Sequence, residues 1–575
     1  MQHLKPFLAD LWSLARPYWF SEERWAARGL LAVIVAMNLG LVFVQVLFNR
    51  WQNDFYNALQ EKDYEAFLYQ LGYFCVLATV FIVIAVYQLY LNQMLQIHWR
   101  RWLTERYVDG WLGERAYYRM QLTDPGTDNP DQRIADDLRL FVARTLSLGL
   151  GLLSAVVTLL SFVGILWGLS GELVVPLGDG GITVPGYMVW VALVYAVVGT
   201  WLTHRIGQPL VGLNFQQERL EADFRYALVR LRENTEAIAL YQGERDEAAT
   251  LRERFAGLMA NWWAIMKKQK QLTWFTAGYG QVAVIFPVLV AAPRYFAGSI
   301  QLGGLMQTAS AFGQVQGSLS WFVEAYTQLA DWKATVDRLT GFVAAVETAR
   351  AAAQAGGPQT VAADGHAGLA LSELTLALPD DRELLRIPAA TLAEGEAVLL
   401  AGPSGSGKST LFRALAGIWP FGQGRIARPA GARLLFLPQR PYLPIGKLRQ
   451  VVAYPAADAA DQQVAEALGA VGLPGLVGRL DAQENWALQL SPGEQQRIAI
   501  ARALIYRPDY LFLDEATASL DEASEAALYR LLRERLPRVT LVSIAHRPSL
   551  RALHARHWRI VPRPAGPAEL VAEAA

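Results

Sequence analysis

Hydrophobic positions fall into two patterns along this chain. Over roughly the first 340 residues they form unbroken runs of about 20, long enough to cross a bilayer as helix. Four runs, at residues 30–48, 71–91, 146–169 and 188–210, carry almost no charge. A fifth (275–296) and a sixth (304–330) are interrupted by Gln, Ser, Thr and Gly. Six spans place both termini on one side. Between spans four and five lies a mostly polar, helix-favouring stretch of about 60 residues, which as helix extends well beyond the bilayer. The last 210 or so residues read instead as a soluble α/β domain, with short β-like runs such as 397–400 and 539–544. The pattern predicts a membrane domain at 1–345, an Ala/Gly/Gln-rich linker at 346–368, a soluble domain at 369–562 and a tail at 563–575.

Charge orients the spans, because cytoplasmic loops are rich in Lys and Arg. Lys5, Arg16, Arg24 and Arg28 precede span one, and Arg100, Arg101, Arg106 and Arg115 follow span two. Residues 171–186 hold no Lys or Arg, and 49–70 are net acidic. Both termini and the soluble domain are therefore expected in the cytoplasm, with membrane lipid around the spans. Trp19, Trp25, Trp51, Trp99, Trp102 and Trp190 fall near span ends, as interfacial anchors do. No apolar stretch precedes residue 30 or so, which argues against a removable signal peptide. The formal net charge is zero, so nothing suggests a nucleic-acid partner. Cys75 is the one cysteine and reads as a packed thiol.

Candidate chemistry lies in the soluble half. The run Gly402, Pro403, Ser404, Gly405, Ser406, Gly407, Lys408, Ser409, Thr410 fits the phosphate-binding loop G-x-x-x-x-G-K-[ST], set between a strand and a helix. Its glycines let backbone N–H groups converge on phosphate oxygens, Lys408 adds positive charge, and the Ser409 hydroxyl suits Mg²⁺. An apolar run from Tyr510 ends in Asp514 and Glu515. Asp514 is placed to hold Mg²⁺, and Glu515 to act as the general base on an attacking water.

With these motifs stands Leu490-Ser-Pro-Gly-Glu-Gln-Gln-Arg497, which resembles the signature of ATP-binding cassettes. Gln439 is similar to that family's Q-loop glutamine, Ser519-Leu-Asp521 to its D-loop and His546 to its switch histidine. The resemblance implies an exporter-type six-span fold joined to a P-loop ATPase, with ATP and Mg²⁺ as ligands. It gives catalytic roles to Glu515, His546 and Gln439, nucleotide contacts to Ser491, Gly493, Glu494 and Asp521, and metal contacts to Ser409, Gln439 and Asp514. Within the family, Gly417-Ile-Trp-Pro420 resembles the subgroup that contains the peroxisomal transporters, and Asn53–Leu59, Asp128–Arg133 and Arg232–Glu236 resemble its bacterial SbmA/BacA-like and YddA-like members of the inner membrane. Peroxisomal fatty-acyl transporters and a mycobacterial cobalamin importer are kin of that group. Two positions depart from the family pattern: Pro492 where many relatives have Gly, and Leu378 where an aromatic ring usually stacks on adenine.

Each ATP in this family lies between one domain's phosphate loop and another's signature, so the resemblance implies a homodimer. Residues 127–137 and the helix near 232–247 are the expected surfaces joining membrane and ATP-binding parts. Gln307, Ser310, Gln314 and Ser318 share one face of span six. That face is either bundle glue or the wall of an aqueous cavity. The cavity reading points to uptake of hydrophilic cargo such as peptides or cobalamin; fatty acyl-CoA or a lipid is the alternative. Glu324, near the cytoplasmic end of span six, reads as a carboxylate reaching the interface. A membrane receptor that binds nucleotide without transport would have no need of Glu515 or His546.

Overall fold

The computed structural model describes residues 4–123, 129–175, 182–363, 368–456, 458–564 and 566–573. They form two compact units: Met1–Tyr107 with Asp131–Gly341, and Val108–Pro130 with Phe342–Ala575.

The first unit is helical apart from two short antiparallel strands, β1 (Glu172–Val175) and β2 (Ile182–Pro185). An amphipathic helix α1 (Leu4–Trp19) precedes α2 (Arg24–Glu61) and α3 (Tyr64–Leu112), which carry spans one and two. After the short α4 (Ala116–Thr123), which belongs to the second unit, come α5 (Leu138–Ser170), α6 (Tyr187–Glu233), α7 (Glu244–Phe296) and α8 (Leu302–Ala355). Five of the helices, those of spans one to five, are long and apolar enough to cross a membrane among the described residues. The sixth span lies on α8, whose Gln, Ser and Gly residues dilute its hydropathy. At 47 and 53 residues, α6 and α7 are each about 70–80 Å long, twice the thickness of a bilayer core. A helix Thr235–Tyr241 closes their polar end.

Close packing of spans four and five rests on a missing side chain. A Cβ at Gly199 would lie 2.2 Å from the Tyr279 ring. That room lets Tyr195 and Tyr279 stack at 4.5 Å, each hydroxyl donating to the other's backbone carbonyl. At the opposite end of the spans from the Lys/Arg-rich segments, Arg294 donates to the carbonyls of Leu169 and Ser170 at 2.7 and 2.5 Å. These are orphan acceptors at the C-terminus of α5, so the arginine acts as its cap.

Several expectations change here. Trp99 is 1% exposed and stacks on Tyr18, so it belongs to the core, whereas Trp25 and Trp190 are exposed. Cys75 is exposed on an apolar helix surface. The amphipathic α1, whose Phe7 and Leu14 are buried, had no span-length run to announce it. Of the expected contact stretch 127–137, Thr127 and Asp128 lie outside the described residues. Arg133–Asp137 make a π-helical turn whose Asp137 is 2% exposed. Its carboxylate accepts from Arg133 and, at 2.6 and 2.9 Å, from Arg338 of α8. Arg133 and Asp137 face inward and tie this turn to α8, while Ala135 and Asp136 of the same turn are exposed. The Glu324 side chain lies outside the described residues.

The second unit is built on a ten-stranded sheet. Its strands are β3 (Gln359–Ala363), β4 (Gly368–Ala377), β5 (Glu383–Ala393), β6 (Ala397–Ala401), β7 (Gly422–Pro429) and β8 (Leu434–Leu437). Then follow β9 (Tyr510–Asp514), β10 (Thr540–Ile544), β11 (Arg556–Val561) and β12 (Ala568–Glu573), in the order β3-β7-β4-β5-β12-β11-β6-β10-β9-β8. The parallel strands β6, β9 and β10 are apolar almost throughout, as strands covered on both faces must be. Two apolar clusters, one containing Leu511 and Trp486 and one containing Phe512 and Trp558, make the core.

Among the described residues, parts of the expected linker and tail form regular structure. Residues through Ala355 continue α8, since Ala and Gln favour helix, and Gln359–Ala363 adds an edge strand parallel to β7. Ala568–Glu573 lies between β5 and β11, pairing antiparallel with β11. Residues 108–123 also belong to this unit. Arg115 donates to the Ala416 carbonyl at 2.6 Å, Arg350 to the Gly110 carbonyl at 2.9 Å, and Leu122 packs on the sheet's core.

Candidate nucleotide site

Four neighbouring parallel strands, β6, β10, β9 and β8, end side by side. Their carboxyl ends run into Gly402–Ser409, His546, Asp514–Glu515 and Gln439 respectively. In such sheets ligands bind in the crevice beyond the strand ends, and four sequence-separated motifs meet there because the sheet aligns them.

The phosphate loop needs its glycines. Gly405 and Gly407 have φ of 78° and 96°, where side chains are strained, and a Cβ at Gly402 would lie 3.0 Å from Ser406 Oγ. The loop opens into the N-terminus of α9 (Lys408–Leu415), which favours negative charge. The buried Ser406 hydroxyl has no hydrogen-bond partner, as suits a donor meant for a phosphate oxygen. Lys408 Nζ donates to the Gly402 and Pro403 carbonyls at 2.7 and 2.8 Å, which holds the ammonium across the loop. Burial lowers its pKa, with Glu515 and Asp514 opposing. Ser404 is exposed and Thr410, the third residue of α9, is buried.

At the end of β9, burial pushes the Asp514 carboxyl up, and Glu515 adds to this; a hydrogen bond with Ser409 and the charges of Arg413 and Lys408 pull it down. Glu515 has φ of 51°, a conformation rare for a side-chain-bearing residue, anchored by its N–H on the Ile544 carbonyl. Gln439 Nε2 donates to one Glu515 oxygen at 3.0 Å, and His546 Nε2 lies 3.1 Å from the other. Gln439, Glu515 and His546 thus form one cluster. With its nitrogen turned to Glu515, Gln439 leaves its oxygen for a cation. Ser409, Asp514 and that oxygen are hard ligands that suit Mg²⁺ shared with phosphates, which would offset their negative charge.

The signature residues act locally as a helix start. Ser491 is the N-cap of α10 (Pro492–Tyr506), and Glu494 completes a capping box, its carboxylate accepting from Ser491 N and Oγ at 2.8 Å. Pro492 at the first helical position loses no hydrogen bond, because that N–H is an orphan in any helix. Asp521 likewise caps α11 (Glu522–Arg535), accepting from Ser524 N at 2.9 Å, and that bond holds its pKa down. A Cβ at Gly493 would come 3.2 Å from Leu520. Leu378 sits where β4 turns toward β5, and Tyr442 is exposed, edge-on to Tyr454.

Sequence reasoning passed over residues behind the motifs. Arg547, next to His546, pairs with the buried Glu525 at 3.2 Å, and Glu525 also accepts from Thr517. Gln496 is buried between Gln439 and Ser519. Its place in a repeated glutamine pair gave no signal of this.

Residues 14–296 match the family model "ABC transporter transmembrane region 2", and 385–518 match "ABC transporter". An uncharacterised ABC transporter ATP-binding protein of Haemophilus influenzae is 39% identical, over 91% of this chain and 87% of its own. The inner membrane ABC transporter ATP-binding protein YddA of Escherichia coli is 34% identical, over 95% and 96%. The lysosomal cobalamin transporter ABCD4 of Mus musculus is 27% identical, over 94% and 91%. A solved bacterial Atm1-family ABC exporter with ATP bound superposes with a TM-score of 0.69 at 18% identity, over 92% and 93% of the two chains.

Proposed function

Because this chain belongs to the ABC transporters that fuse membrane and ATP-binding domains in one polypeptide, we propose that two copies form an ATP-driven pump of the bacterial inner membrane with cytoplasmic termini. The cluster Gln439–Glu515–His546 beside the glycine loop carries this reading. In it, the loop amides, Ser406 and Lys408 hold the β- and γ-phosphates of ATP. Ser409, Asp514 and Gln439 hold Mg²⁺. One Glu515 oxygen polarises the attacking water while Gln439 and His546 fix the carboxylate's orientation. Ser491 and Gly493 of the second copy complete each site, with Glu494 and Asp521 shaping the helix starts that deliver them. Loss of the γ-phosphate separates the two cassettes, and the long helices carry that motion to the membrane.

For the cargo, we infer a hydrophilic compound such as a peptide or cobalamin. Ser310 and Gln314 support it as half-buried polar residues of span six. The rest of the stripe is spent inside the bundle. Gln307 is 8% exposed and exchanges two hydrogen bonds with Asn49 of α2, at 3.0 and 3.1 Å, while Ser318 bonds back to the Gln314 carbonyl. A groove of about 700 Å³ between α6 and α7, lined by Trp190, Tyr195, Phe275, Tyr279 and Phe286, favours an acyl chain as the second reading. Reconstituted vesicles decide between them. ATP-dependent uptake of cobalamin or peptide, lost in Lys408→Ala, supports the first; acyl-CoA alone stimulating ATPase activity supports the second.

A further inference from the structure

Gln496 lies one turn into α10, is 2% exposed, and has both ends of its amide engaged. Its Nε2 donates to the backbone carbonyl of Gln439 at 3.1 Å, and its Oε1 accepts from the backbone N–H of Ser519 at 2.9 Å. The next residue, Arg497, ties the same helix to Val471 and to Ser524 Oγ at 2.8 and 3.0 Å. A planar amide bonded at both ends cannot follow one partner without breaking from the other. Displacement of the Gln439 segment therefore pulls on α10 and on the 519–521 segment together.

These three segments serve different nucleotides. Gln439 acts on the ATP held by its own chain's phosphate loop, whereas Ser491 and Gly493 at the start of α10 face the ATP of the second copy. We propose that Gln496 is a positioning residue that couples the two ATP sites of the dimer, making hydrolysis at one depend on occupancy of the other. The inference rests on the dimeric reading above. Gln496 touches neither the nucleotide nor Glu515; it acts through the Gln439 backbone.

The test measures ATPase rate against ATP concentration for the full-length protein in vesicles. The unmodified protein should show a Hill coefficient above 1, bounded by its two sites. Gln496→Met keeps length and volume but removes both hydrogen bonds. It should bring the coefficient to about 1 and lower kcat by about tenfold, the scale of two modest hydrogen bonds, while KM for ATP moves far less. Gln496→Glu keeps the acceptor for Ser519 and loses the donor to Gln439, so it should uncouple the sites as well, and it carries the test should the Met variant fold poorly. A disulfide between Ser404→Cys and Gly493→Cys of two copies, formed with ATP in a Cys75→Ala background, reports the dimer separately. If that cross-link forms and both variants keep the unmodified Hill coefficient, the coupling role is overturned and the dimer stands. A coefficient of 1 in the unmodified protein also overturns it. Absence of the cross-link removes the dimeric reading and the coupling with it.

Discussion

Two glutamines in polar motifs, Gln307 in the membrane unit and Gln439 in the ATP-binding unit, end in opposite situations. Gln307 donates its side-chain Nε2 to Asn49 Oδ1 on a neighbouring helix, its backbone carbonyl accepts from Asn49 Nδ2, and its side chain is buried in the bundle. Gln439 stands in a loop past a strand end, exposed at the crevice beside the phosphate loop, and donates its Nε2 to one Glu515 oxygen. Surroundings make the difference. Inside a membrane there is no water to satisfy an amide, so helices spend polar side chains on each other. Beyond the edge of a parallel sheet, the backbone stops and side chains from several strands converge on open space. A polar motif in the cassette is thus evidence of a ligand, and one in a span is evidence of a neighbouring helix until shown otherwise.

The sharpest break between the two regions is kinetic. Glu515→Gln should lower ATP turnover by about a hundredfold or more while ATP still binds and the dimer accumulates clamped, as loss of a general base implies. Near-normal turnover would move the base elsewhere, with His546 the first alternative. Steady-state ATPase assays and nucleotide-dependent cross-linking read both quantities.

Next comes the membrane amide pair. Asn49→Leu or Gln307→Leu alone strands a buried partner and should cost about 1–3 kcal/mol. The double variant should cost less than the sum of the two, because neither group is then orphaned. Thermal unfolding in detergent measures this, and strict additivity would show the pair to be independent. Single cysteines in a Cys75→Ala background sharpen the contrast: positions 310 and 314 should react with an impermeant thiol reagent, and positions 307 and 318 should stay shielded.

A gentler comparison lies within the nucleotide site. Burial raises the Asp514 pKa, so the folded state prefers the protonated form, and the charged carboxylate opposes stability at neutral pH. That opposition is relieved as pH falls through the raised value, above the ordinary aspartate range. Asp514→Asn should accordingly raise the melting temperature by a few degrees while hydrolysis is lost. An unchanged or lower melting temperature would show that the Ser409 hydrogen bond outweighs burial. The smallest effect expected is on base choice. With Leu378 where a stacking ring would stand, GTP should be hydrolysed at a rate comparable to ATP. A strong ATP preference would point to Tyr442 as the ring.

The sequence by itself determined the two-part design, the spans, the strands around each motif and the identity of the phosphate-loop and acidic residues. These are local patterns: apolar run length, glycines at fixed offsets and carboxylates at a strand end all act over a few residues. What the sequence could not disclose was who meets whom. Trp99 looked like an interfacial anchor until Tyr18 was found stacked on it, and residues 563–575 looked like a tail until Ala568–Glu573 was found inside the sheet. The bond of Gln307 to Asn49, 258 positions away, and that of Gln496 to Gln439, 57 positions away, leave no mark on periodicity or composition. A side chain's own pattern states what it can bond to; only the packing of distant segments decides whether a helix, a loop or a ligand supplies the partner.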